Sequence, residues 1–120
     1  MMLVVGGLGA GKLDYLRHTL GYREEDLGRS PQDGLPVLLD LQELLRTQPD
    51  LPQDWWTALA AKEVVVCQEV GCGVVPLDPA DRRWREEVGR ACVRLAREAD
   101  TVVRLVCGIP QLLKGTMPCG

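Results

Sequence analysis

Phenylalanine is absent from this 120-residue chain, histidine occurs once, and the five cysteines form no Cys-x-x-Cys pair. One histidine and no ligand-like cysteine spacing argue against a zinc site. Cys67, Cys72, Cys92, Cys107 and Cys119 are odd in number and lie mostly in apolar stretches, so they read as reduced core residues of a cytoplasmic protein. No apolar run approaches the ~20 residues that a membrane-spanning helix requires. The short apolar stretch at residues 2–5 passes straight into glycine, which is not the form of a secretory leader. Basic charge is not in excess either. Fourteen Lys and Arg against 17 Asp and Glu give a formal net charge of −3, which excludes a general nucleic-acid binder. The length suits one domain with a small core, over residues 1–120.

What the chain does have is glycine in the right place. Gly6, Gly7, Leu8, Gly9, Ala10, Gly11 and Lys12 spell Gly-x-x-x-x-Gly-Lys directly after the apolar residues 2–5. A glycine loop between a strand and a helix is the pattern of a phosphate-binding loop. Without Cβ atoms the backbone wraps closely around a polyphosphate, its N–H groups form an anion nest at a helix start, and Lys12 adds a point charge at the β- and γ-phosphates. The pattern ordinarily continues with Ser or Thr, whose hydroxyl meets Mg²⁺. Here the residue is Leu13, so either the metal is held by other oxygens or Leu13 turns into the core with Leu16 and Leu20.

Strand and helix signals alternate along the chain. Strands are expected at residues 2–5, 35–39, 63–67 and 101–107, and helices at about 11–20, 41–47, from about 54 onward, and from 79 to near 99. The longest helix is the clearest: Asp78 suits the N-cap and Pro79 the first helical position, with Ala80, Trp84, Val88, Ala91, Cys92, Leu95, Ala96 and Ala99 on one face. Residues 21–35 read as a loop with one helical turn near 24–27, and the last ten residues as irregular. The alternation implies βαβ units, hence an α/β fold: a P-loop NTPase-like three-layer α/β/α arrangement on a mainly parallel sheet of about four or five strands.

Several polar residues fall where such a fold places chemistry. Asp40 ends an apolar strand, where a carboxylate either orders magnesium and its waters or caps the next helix. Glu69, Gly71 and Gly73 follow the third strand, at the ligand crevice of open α/β sheets. Arg82, Arg83, Arg85, Arg90, Arg94 and Arg97 decorate the long helix as a solvated face, and one or two near its start are candidates to reach a phosphate. His18 reads as a surface residue, and Trp55 and Trp56 as plugs for a core edge or an interface.

Taken together, these motifs resemble one family. Glu69-Val-Gly-Cys-Gly-Val-Val-Pro76 is similar to the Asn-Glu-Val-Gly-x-Gly-(Ile/Leu)-Val-Pro signature of the adenosylcobinamide kinase / adenosylcobinamide-phosphate guanylyltransferase family. Arg82-Arg83-Trp84-Arg85-Glu86-Glu87-Val88-Gly89 resembles its Arg-x-Phe-Arg-Asp-x-x-Gly helix, and Gly108-Ile109 its closing Gly-Ile. The resemblance implies a shortened, divergent member with a P-loop fold. It implies a role in cobalamin (vitamin B12) biosynthesis, with GTP or ATP and Mg²⁺ as cofactors and adenosylcobinamide as substrate. It also implies a homo-oligomer, while the uncovered edges of a sheet with four predicted strands suit a partner subunit docked beside a full-length homologue. In that reading Lys12 and Glu69 carry the chemistry, residues 6–13 hold the nucleotide, Asp40 holds the metal, and Gly71, Gly73, Arg82 and Arg85 lie on the substrate side. The family's guanylyl transfer passes through a histidine, and residues 21–35 contain none. The resemblance therefore carries the kinase role, with a non-catalytic nucleotide- or corrinoid-binding module as the alternative.

Overall fold

A computed structural model of the chain describes residues 1–70 and 78–117. Six strands form one sheet in the order β2-β3-β4-β1-β5-β6: β1 Met2–Gly6, β2 Leu27–Gly28, β3 Val37–Leu38, β4 Val64–Gln68, β5 Thr101–Val106 and β6 Ile109–Lys114. All neighbours run parallel except the pair β5–β6. The helices are α1 Lys12–Asp14, α2 Leu41–Thr47, α3 Gln53–Ala60 and α4 Pro79–Glu98.

Successive strand residues point to opposite faces, and both faces are covered. Leu3, Leu38, Val65 and Val102 pack with Leu41 and Leu45 of α2, Leu59 of α3 and Val88, Ala91 and Leu95 of α4. Val4, Val37, Val66 and Val103 pack with Ala10, Tyr15 and Leu16 on the other side. This is the expected three-layer α/β architecture, and it explains why the strands are continuously apolar rather than alternating. Among the described residues no helix is long and apolar enough to cross a membrane.

The long helix forms as its caps dictate. Asp78 Oδ1 accepts the Ala80 N–H at 2.9 Å, and Pro79 opens the helix. Trp84, Cys92 and Ala96 pack against the core beside Val88, Ala91 and Leu95, whereas Ala80 is exposed. Trp55 and Trp56 sit half-buried at the core edge, with the Arg94 guanidinium 4.2 Å above the Trp56 ring. The loop entering β3 is fastened from below: the buried Lys62 ammonium donates to Asp33 Oδ1 and to the Leu35 carbonyl, each at 2.6 Å.

Five expectations are corrected. The sheet has two strands beyond the four read from sequence. β2 has only two residues, too few for a periodic signal, and β6 occupies the tail expected to be irregular. Pro110 suggested an end to regular structure there, but β6 is an edge strand, where proline is tolerated. Cys107 (φ 51°) and Gly108 (φ 75°) make the two-residue turn between β5 and β6, the paired positive φ values that tight hairpins require. The first helix is also not one regular run over 11–20. A wider turn, Tyr15–Thr19, follows α1 with the Leu20 N–H bonded to the Tyr15 carbonyl five residues back. Leu16 is buried, but Leu13 is 43% exposed rather than turned into the core. Finally, Cys67 is buried and Cys92 half-buried, but Cys107 is exposed on its turn. Cys72 and Cys119, and the candidates Gly71 and Gly73, lie outside the described residues.

Candidate functional site

The glycine loop leaves β1, a strand flanked by β4 and β5, at the C-terminal edge of the sheet. Gly9 (φ 73°) and Gly11 (φ 89°) supply left-handed backbone that a side chain would strain. Gly11 has a second constraint, since a Cβ there would lie 3.2 Å from the Gly108 Cα. The hairpin turn braces the loop at this point, with the Gly108 N–H donating to the Ala10 carbonyl at 2.8 Å. Lys12 folds over the loop, its Nζ donating to the carbonyls of Gly7 (2.7 Å) and Gly6 (3.1 Å). Burial lowers the Lys12 pKa from its ordinary value, and the nearby carboxylates of Asp40 and Glu69 oppose that shift.

A cleft of about 470 Å³ opens beside the loop, lined by Leu8, Gly9, Ala10, Gly11, Lys12 and Leu13, with Asp14, Arg17, Asp40 and Gln68. Asp40 stands between β3 and α2 in left-handed conformation (φ 58°), and its side chain makes no capping bond to α2. The carboxylate instead accepts from Arg29 Nε at 3.1 Å and from Gln42 Nε2 at 3.4 Å. Of the two readings of Asp40, the cap holds only for its place and main-chain carbonyl, which accepts the Glu43 N–H at 2.9 Å, and not for its side chain. Sequence reasoning passed over Asp14, Arg17 and Gln42. The Gln42 side chain is buried, and its Oε1 accepts the Gln68 N–H at 2.9 Å, while its main-chain carbonyl accepts Trp84 Nε1–H at 2.7 Å.

A second cleft, of about 460 Å³, lies on the other side of the loop and shares Leu8 and Gln68 with the first. Glu69, Val70, Trp84 and Arg85 line it, together with Gly7, Arg46 and Asp81. The Arg46 guanidinium stacks 3.7 Å above the Trp84 ring. Glu69 is gripped by Arg104 of β5 through two bonds, Nε to Oε1 at 2.6 Å and Nη2 to Oε2 at 3.1 Å. Arg104 was not singled out from sequence. Its signal was a lone charge within Thr-Val-Val-Arg-Leu-Val. Arg85 joins the second cleft, but Arg82 is exposed and lines neither, and the same holds for His18. Among the described residues no group of three or more His, Cys, Asp or Glu is placed to hold a metal ion. Asp40 and Asp14 are the carboxylates that line the first cleft.

A glycine loop leaving an interior strand of a mainly parallel sheet, with a lysine over it and carboxylates on both sides, defines a P-loop-like α/β protein. Residues 35–113 match the family described as cobinamide kinase / cobinamide phosphate guanyltransferase, and the chain belongs to that family. A 54-residue stretch is 44% identical to the bifunctional adenosylcobalamin biosynthesis protein CobU of Salmonella typhimurium, covering 45% of this chain and 30% of that protein. A 57-residue stretch is 37% identical to the bifunctional adenosylcobalamin biosynthesis protein CobP of Pseudomonas aeruginosa, covering 48% of this chain and 33% of that protein. The matched stretches thus span about a third of these relatives. The glycine loop precedes the family match, so its assignment stands on its own geometry.

Proposed function

We propose that this chain is a nucleotide-binding, cobinamide kinase-like phosphotransferase of cobalamin biosynthesis. Lys12 and the amides of residues 6–13 hold the phosphates of ATP or GTP. Asp40, with phosphate oxygens and waters, holds Mg²⁺. Glu69, across the loop, orients the acceptor hydroxyl of adenosylcobinamide. Phosphoryl transfer asks a protein chiefly for positioning and charge stabilisation, and the parts for both are gathered here. The observation that supports the reading is a glycine loop with the Lys12 ammonium folded over it, beside one cleft lined by Asp40 and another lined by Glu69. Lys12→Ala removes a charge-assisted contact to phosphate, a loss on the order of 1.5–3 kcal/mol, or roughly 10- to 150-fold. Nucleotide-dependent phosphorylation of adenosylcobinamide is therefore expected to fall by that factor in the variant. Wild-type turnover no greater than that of Lys12→Ala would contradict the proposal.

One observation favours a second reading. Leu13 stands half-exposed in the cleft where a hydroxyl would meet the metal. This suits a module that binds nucleotide or corrinoid without turning it over, docked on a second copy or on a full-length homologue. Tight, metal-independent nucleotide binding without phosphorylation would select it.

A further inference from the structure

Arg104 is the charged residue of β5. Its pairing with Glu69 is a two-pronged fork, the strongest form such a contact takes. Arg104 stands opposite Val5 of β1, whose other neighbour is Cys67 of β4. The guanidinium therefore reaches across β1 to the residue just beyond β4.

The main chain of Glu69 is anchored without this help, because its N–H donates to the Gly6 carbonyl at 2.8 Å and so prolongs the β1–β4 pairing. What the fork fixes is the direction of the carboxylate. The Glu69 side chain is 22% exposed and that of Arg104 44%, so solvent screens the pair only in part.

We infer that Arg104 is a positioning residue, holding the Glu69 carboxylate in the second cleft so that an acceptor hydroxyl meets it already aligned. The inference rests on the proposed phosphotransfer and adds to it a residue that acts through Glu69. Alignment before reaction is where most of the advantage of a bound pair arises.

The test compares the unaltered chain with Arg104→Leu and Arg104→Lys in the phosphorylation of adenosylcobinamide, with nucleotide affinity measured separately by calorimetry. Arg104→Leu is expected to lower kcat by about ten-fold or more while leaving nucleotide Kd within about two-fold. Arg104→Lys is expected to recover only part of the loss, since an ammonium supplies charge without the fork. If Arg104→Leu does not fold, Arg104→Gln carries the same comparison. Folded variants with unaltered kcat would overturn the positioning role and leave the phosphotransfer standing. An inactive unaltered chain would overturn both.

Discussion

Leu13 poses the sharpest question at the scale of single residues. It follows the loop lysine, lines the cleft and is 43% exposed, yet offers no oxygen. Leu13→Thr places a hydroxyl there at little cost to packing. Calorimetry with and without Mg²⁺ is expected to show a metal-dependent gain of about 1 kcal/mol in nucleotide affinity, roughly five-fold. Equal affinities in the two variants at every Mg²⁺ concentration would refute this role for position 13. The loop residues were legible in the sequence because the constraint on them is local: wrapping backbone at Gly9 and Gly11 demands positive φ, and spacing alone reveals it. Asp40 was half legible. Its place between strand and helix was readable, but not the left-handed backbone that removes its carboxylate from the α2 cap. Arg104 was not legible, because its partner Glu69 lies 35 positions away and only the strand order brings them together.

At the scale of elements, α4 declared itself through Asp78, Pro79 and its apolar stripe, since capping and periodicity are written in adjacent residues. The β5–β6 hairpin did not, because Cys107-Gly108 is an unusual spelling of a turn for which Asn-Gly is preferred. Cys107 holds φ 51° without the side chain that best tolerates it. Cys107→Asn is accordingly expected to raise stability by about 0.5–1 kcal/mol, seen as an upward shift of the thermal midpoint. A lowered midpoint would mean that Cys107 makes a contribution other than turn geometry. The turn also bears on function, because Gly108 is bonded to Ala10 and packs on Gly11, so the hairpin helps set the loop's shape.

At the scale of the molecule, the alternation of strands and helices was enough to give the layered α/β class, and the sheet edges were where it fell short. β2 is too short to leave a pattern, and β6 is an edge strand with exposed Ile109, Leu112 and Leu113 instead of a buried face. The site itself is a property of the whole sheet. β1 delivers the loop, Asp40 lies two residues past β3, β4 ends at Gln68 beside Glu69, β5 supplies Arg104 and α4 supplies Trp84 and Arg85. This convergence at strand ends is where open α/β sheets bind ligands. It places two clefts on either side of one glycine loop, sharing Leu8 and Gln68 as their common wall.

The central claim is that this loop grips the phosphates of a nucleotide, and backbone amide spectra test it directly. Titration of the isotope-labelled chain with GTP or ATP is predicted to give saturable shifts for the amides of residues 6–13 and for Asp40, and these shifts should be lost in Lys12→Ala. Amides in that stretch unmoved at millimolar nucleotide would contradict the account.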